Sequence, residues 1–500
     1  FTPWAIKTGK GQHPCRRHIL KDKKTLQYMD NNFIAAIVLG SSRLTGIVGS
    51  KENDGSITVK AYTAVNSSDF ISKGRIMNVD KMTSALTNIK NNLENQTESR
   101  IKCFYVAINC MGLRSVTNNV KMQMPSSEIV TEELIASIGV RNKESRPAER
   151  EILEAIPLEY RIGTAGTQVT QDPKGTLTDR IETRFLNIIC GTKTLETIIS
   201  CFRKANIEIA DGRVFIGAEM LAGIMTTEQE RSSGCVFVDM GSETTTVAVY
   251  RGKLLRHLCV IPLGSATVTH DIANVFNVEN EEAENLKVKH GYPDFETLND
   301  KEEIHLRDGG RMKKVAELAE IIDARIEEIV QNIKAQVDLS GFNHDNLVNG
   351  IFVCGGGAQL KGMDNAMKTH FKDWYVRINK HSARLKVNAP DSSFNESGIY
   401  NIGLAFIDNN LTNCYGGQFS IFEETEETDT KPLTPASEGK PVEEEQPVTT
   451  DQDKEDVTPK KEEKKKRPSR FKSLWSKTKE ILESIVSEPA EDFEDKKDKD

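Results

Sequence analysis

The chain has 500 residues, too many for one hydrophobic core, so two or more compact units plus tails are expected. Its 66 Lys and Arg face 74 Asp and Glu, a mildly acidic balance that gives no general reason to expect nucleic-acid binding. Nine cysteines with no CxxC pair or Cys/His cluster exclude a zinc module and favour a reducing compartment, and no stretch reaches the roughly 18–20 apolar residues that span a bilayer.

Residues 1–28 are basic and aperiodic, and the first Met is Met29, directly ahead of the first clear strand. They read as a non-native or disordered extension, since the apolar core of about 7–15 residues that marks a targeting peptide is missing. From residue 33 to about 417, strand-like runs alternate with helical patterns, the signature of mixed α/β layers. FIAAIVLG (33–40), GSITVKAYTAV (55–65), KCFYVAIN (102–109), GCVFVDMG (234–241) and TTTVAVYRGKLL (244–255) read as strands. KMTSALTNIKNNLENQ (81–96), TLETIISCFRKANI (194–207) and VAELAEIIDARIEEIVQNIKAQV (315–337) read as helices. GIFVCGGGAQLKGM (350–363) reads as a strand, three glycines and a helix. Residues 423–467 are rich in Glu, Thr, Pro and Lys and too polar to fold, which makes a disordered linker of about 418–467.

Three glycine corners carry the chemistry. FIAAIVLGSSRLTGIVG (33–49) and GCVFVDMGSETTTVAVY (234–250) share one grammar, an apolar strand, x-x-Gly-Ser and a second apolar strand. Two such hairpins suggest a duplicated domain with facing loops. Glycine lets backbone N–H groups approach a phosphate, and Ser or Thr adds hydroxyl donors. Gly40, Ser41, Ser42, Gly241, Ser242 and Thr244 are the candidate phosphate-binding residues, and Asp239 could hold Mg2+ through water. Gly355, Gly356 and Gly357 could let a base and sugar lie flat on the backbone.

The order of GSS (40–42), IGAEMLAG (216–223), DMGSETT (239–245), CGGGAQLKGM (354–363) and SGIYNIGLAF (397–406) resembles the actin/Hsp70/sugar-kinase ATPases. VIPLGSATVTHDIA (260–273), EAENLKVKHG (282–291) and ELAEIIDARIEEI (317–329) narrow the resemblance to the FtsA family of actin-like bacterial cell-division proteins. That resemblance implies an α/β, two-lobed actin-like (RNase H-like) ATPase fold with an inserted α+β subdomain, ending in a disordered linker and an amphipathic helix. The first lobe would take 33–101, 190–230 and 395–417, with the insert at 102–189 for polymerisation and recruitment. The second lobe would take 231–265 and 350–394, with 266–349 as its outer, FtsZ-peptide-binding subdomain. The resemblance further implies ATP and Mg2+ as cofactors, Glu284 and Lys287 near the adenosine, Glu219 as the residue that positions water, and Arg325 as a contact for the C-terminal peptide of FtsZ. Filaments, later division proteins and the cytoplasmic face of the inner membrane at the septum are the implied partners and place.

Two departures from the family pattern bear on turnover. Val38 stands where an acid is common before the first loop, and Glu243 lies in the second loop, with Thr246 where an Asp is common. Glu243 would repel a phosphate unless it points away or faces Mg2+. Asp239 is left as the obvious magnesium-handling carboxylate, so ATP binding with weak or absent hydrolysis is expected.

At 467–488, RPSRFKSLWSKTKEILESIVSE places Phe471, Leu474, Trp475, Ile481, Leu482, Ile485 and Val486 within an arc of roughly 140° on a helix. Arg470, Lys472, Lys477 and Lys479 border that arc, and a basic cluster (460–467) precedes it, which suits an anionic membrane surface. The membrane-binding helix is set at 468–488 and an acidic tail at 489–500. The alternatives are a sugar-kinase-like enzyme, which would need an acid in a substrate cleft, and an Hsp70-like or pilus-assembly-like ATPase of the same superfold.

Overall fold

The computed structural model describes residues 32–163, 168–293, 302–307, 309–390, 394, 398–409 and 411–418. The expectations for 1–28, the linker, the amphipathic helix and the acidic tail lie outside the described residues. The chain divides into units 1–419 and 420–500, and the described residues all belong to the first. No helix among the described residues is long and apolar enough to cross a membrane.

Two large sheets and three two-stranded ones make up the described strands of the unit. The first has six strands in the order Glu208–Ile216, Cys103–Ile108, Ile34–Leu39, Arg43–Lys51, Ile57–Asn66 and Val387–Asn388. Ile34–Leu39 runs antiparallel to Arg43–Lys51 and parallel to Cys103–Ile108. Both central strands are buried on both faces, which is why they read as unbroken apolar runs. Helix Val79–Thr97 covers one face with Met82, Ala85, Leu86, Ile89 and Leu93. Asn78 caps its start by accepting from the Lys81 N–H, and left-handed Glu98 ends it.

The second sheet has nine strands, in the order Gln168–Thr170, Arg150–Ile162, Leu177–Gly191, Arg114–Ile129, Leu254–Ile261, Thr245–Arg251, Cys235–Met240, Ile351–Cys354 and Val376–Ile378. Its first four strands, with helix Glu132–Glu144, are the inserted subdomain. The insert leaves the chain within the first lobe yet hydrogen-bonds to the second, through the Arg114–Cys259 pair, Val260 N–H to Leu113 O and Leu258 N–H to Ser115 Oγ. Outside this sheet, helices Ser265–Phe276, Asn280–His290 and Val315–Leu339 form the outer subdomain with the hairpin Glu303–His305 and Met312–Lys314.

Several expected boundaries move. Cys103–Ile108, placed in the 102–189 insert by sequence, is a central strand of the first-lobe sheet, so the insert begins after Asn109. Val387–Asn388, assigned to the second lobe, pairs with Ile57 and Thr58 of the first. TTTVAVYRGKLL is two strands, because Gly252 and Lys253 take positive φ and turn the chain between them. The glycines at 355–357 lead into one 3-10 turn, Gly357–Gln359, and helix Met363–His370 starts later.

Candidate functional site

The two expected loops close by the same device. Gly40 turns between its strands so tightly that a Cβ there would lie 2.7 Å from Arg43 O. In the second loop the Gly241 N–H donates to Thr244 O at 2.8 Å, and a Cβ on Gly241 would sit 2.9 Å from that oxygen. Ser67 Oγ holds the first loop by donating to Gly40 O at 2.6 Å. The start of helix Ser265–Phe276 holds the second, as the Ser265 and Ala266 N–H groups donate to Gly241 O and Ser242 O at 3.0 and 2.7 Å.

Asp239 ends the buried strand Cys235–Met240 and is 9% exposed. Burial pushes its carboxyl up to about 7. Asn109, at the end of the first-lobe strand, donates from Nδ2 to Asp239 Oδ2 at 3.0 Å. Asn109 Oδ1 in turn accepts the Ala218 N–H at 2.9 Å, at the start of helix Gly217–Met225. One amide thus joins the acid of the second lobe to a helix terminus of the first. Thr246 stands opposite Asp239 in the ladder, and its buried hydroxyl has no hydrogen-bond partner among the described residues.

The glycine triplet lies against this acid. Gly355, at φ +91°, leaves only 2.6 Å between an added Cβ and Asp239 Oδ1, and 2.4 Å to Met240 O. Gly357 packs on Met240 O, whereas nothing lies within 4 Å of the Cβ direction of Gly356, so a flat open ledge borders the acid. Lys287 Nζ reaches back toward the second loop, donating to Ser265 O, Thr269 Oγ1 and Glu284 Oε2 at 3.1, 2.9 and 2.7 Å. Lys287 is therefore one hydrogen bond, and Glu284 two, from Ser265, the residue that caps Gly241.

The open question at Glu243 has an answer: it does not stand free in the loop. Its carboxylate accepts the Lys73 N–H across the cleft. The adjacent Gly74 N–H donates to Ser41 Oγ of the first loop at 2.9 Å. The Ile71–Ile76 hairpin, unremarked in the sequence, thus touches both loops.

Two expected site residues are engaged with other side chains of the protein. Glu219 starts helix Gly217–Met225, but the groups that bear on it are Glu154 of the insert, Arg213 and Tyr250. Burial first, and then Glu154, hold its carboxyl well above the carboxylate range. Arg325 is no solvated helix charge: Nε and Nη2 donate to Asp271 Oδ2 and Oδ1 at 2.6 and 3.1 Å, and Nη1 binds Glu328. Among the described residues no cluster of three or more acidic, His or Cys side chains is gathered for a metal. A single carboxylate suits Mg2+, which keeps most of its ligands as water and nucleotide oxygens.

Comparison with known proteins agrees with the resemblance read from the sequence. The family described as "Cell division protein FtsA" matches residues 236–396. A cell division protein FtsA of Escherichia coli K12 is 26% identical over 346 residues, covering 67% of this chain and 81% of its own. One from Porphyromonas gingivalis is 26% identical over 391 residues, covering 75% and 78%. Among solved structures, a PilM-PilN type IV pilus biogenesis complex superposes with a TM-score of 0.52 at 14% identity, covering 75% of this chain and 97% of that one, a likeness of fold alone.

Proposed function

Taking the chain as a relative of the FtsA family, with an actin-like fold, we propose that it is an ATP-binding division protein. In this reading it polymerises, binds the C-terminal peptide of FtsZ and tethers the division ring to the inner face of the cytoplasmic membrane. The observation that carries the nucleotide reading is the pair of glycine-closed loops with Gly355 packed on Asp239 and an open ledge at Gly356.

Gly40, Ser41 and Ser42 would hold phosphates from one side, and Gly241, Ser242 and Thr244 from the other, through N–H and hydroxyl donors. Asp239 would hold Mg2+ through water, and the hydroxyl of Thr246 beside it is a donor without a partner among the described residues. Gly355, Gly356 and Gly357 would carry the sugar and base, with Glu284 and Lys287 at their edge. Bound ATP with Mg2+ supplies the charge that ties one loop to the other; the protein's own part is to orient it and exclude water.

Slow turnover fits the same geometry. Val38 offers no carboxylate, and Glu219 is engaged with Glu154, which among the described residues leaves Asp239, already assigned to Mg2+, as the acid beside the loops. Nucleotide would then set assembly rather than drive a cycle. The insert would serve filament contacts and recruitment of later division proteins. The helices joined by Arg325 would present the surface for the FtsZ peptide, and residues 468–488 would anchor the chain, each tether binding weakly and a filament strongly through avidity.

Co-sedimentation with vesicles of anionic lipid tests the assignment in one assay, run with and without MgATP and the FtsZ C-terminal peptide, on the full chain and on a chain lacking 468–488. The full chain should pellet, more so with MgATP, and carry the peptide down. Equal pelleting of the shortened chain would reject the anchor.

A further inference from the structure

The turn Lys73–Gly74 is a rigid donor pair. Both residues take positive φ, +50° and +73°, the geometry of a two-residue hairpin turn between Ile71–Ser72 and Arg75–Ile76. The Met111 N–H fixes it from behind by donating to Lys73 O at 2.9 Å. A Cβ on Gly74 would stand 2.3 Å from Asn109 O, so this position admits no side chain and the turn cannot shift toward the core. Its two successive N–H groups are directed at the two loops: Gly74 to the hydroxyl of Ser41, Lys73 to the carboxylate of Glu243.

Successive backbone N–H groups in a tight turn make a site for an anion, and the anion held here is a side chain. Glu243 belongs to the loop that would otherwise hold phosphate, and it crosses to the opposite lobe to reach the turn. We infer that the Lys73–Gly74 turn is a third phosphate-binding corner, for the terminal phosphate of a nucleoside triphosphate, and that Glu243 plugs it as an internal surrogate for that phosphate. The inference rests on the nucleotide reading above and adds to it a selection rule. A triphosphate must displace the Glu243 carboxylate from the Lys73 N–H, whereas a diphosphate, one phosphate shorter, leaves the plug in place.

Removing the plug should therefore favour triphosphate alone. In full-length Glu243→Ala, and in Glu243→Gln, which keeps the shape without the charge, the affinity for a fluorescent MgATP analogue should rise on the order of tenfold, the scale of one charge-assisted hydrogen bond. The affinity for the matching MgADP analogue should change less than about twofold. Without nucleotide, amide exchange at 71–76 should quicken in Glu243→Ala, and circular dichroism should confirm that the variants fold. Equal MgATP affinity in wild type and variants overturns the plug while leaving the nucleotide site standing. An equal gain for MgATP and MgADP also overturns it, since that reports general repulsion by the loop acid. Binding by none of the three proteins overturns the nucleotide reading and the plug together.

Discussion

Replacing Arg325 by methionine removes the centre of a buried triad. Its guanidinium binds both oxygens of Asp271 and one of Glu328, and the three side chains are 12%, 11% and 9% exposed. The Asp271 pair joins helix Val315–Leu339 to helix Ser265–Phe276, which also caps the candidate phosphate loop, and the Glu328 pair lies within the first of these helices. Arg325→Met keeps most of the packing of the stem but leaves two carboxylates facing one another out of water. Breaking such a buried pair costs about 3–5 kcal/mol. Burial already raises the Glu328 carboxyl above its ordinary value, outweighing the pull of Arg325. Without Arg325 it should rise further, so the variant takes up a proton and the loss should be smaller near pH 5.5 than at pH 8. Amide exchange along 315–339, with urea denaturation at both pH values, reads this directly. Adding Asp271→Leu and Glu328→Leu should restore most of the stability, since a matched apolar set replaces a buried ion pair at little net cost. If Arg325→Met loses less than about 1 kcal/mol yet no longer binds the FtsZ peptide, the arginine is a contact surface and the strut argument fails.

Two further outcomes follow from the acid and its glycine. Burial raises Asp239 to about 7, so in the nucleotide-free protein the fold should weaken as pH rises from about 4 to 7 and level off above, by up to roughly 4 kcal/mol relative to Asp239→Asn. The Asn109 hydrogen bond reduces that figure, and the difference between the two denaturation curves measures it. A pH-independent difference would show that Asp239 stays ionised. Gly355→Ala combines a φ of +91° with a methyl 2.6 Å from Asp239 Oδ1 and 2.4 Å from Met240 O, and should lower stability by at least about 1–2 kcal/mol and weaken MgATP binding more than tenfold. Unchanged nucleotide affinity in a folded Gly355→Ala protein would remove the glycine corner from the site.

The sheets and loops were legible because their signals are local. Strands buried on both faces leave continuous apolar runs, and Gly-Ser after such a run marks a corner whatever it later binds. What was missed depends on contacts distant in sequence. Asn109 looks like any polar residue closing a strand; its use appears only when Asp239 arrives from 130 positions away. The insert was placed too early because Cys103–Ile108 has the same periodicity in either sheet, and only its parallel pairing with Ile34–Leu39 assigns it. Lys73–Gly74 is a plain hairpin signal, and nothing near it in the chain announces Glu243. Arg325 was read as a contact for the FtsZ peptide, and its internal partner Asp271 stayed hidden because it lies on another helix, 54 residues earlier.

The last described strand has a mechanical consequence. Tyr415–Gln418 pairs antiparallel with Ser99–Ile101, the Cys414 N–H donates to Phe33 O at 2.9 Å, and Asn413 binds both the Phe33 N–H and Asn32. A pull transmitted through the chain beyond residue 418 is therefore borne by one edge of the first lobe, against a short ladder and a few side-chain clasps. Those clasps grip the chain just ahead of strands Ile34–Leu39 and Cys103–Ile108, which run on to the Gly40 loop and to Asn109. While the 415–418 ladder holds, tension is passed along the two central strands of the first-lobe sheet toward the candidate loops, and once it peels away that line is cut.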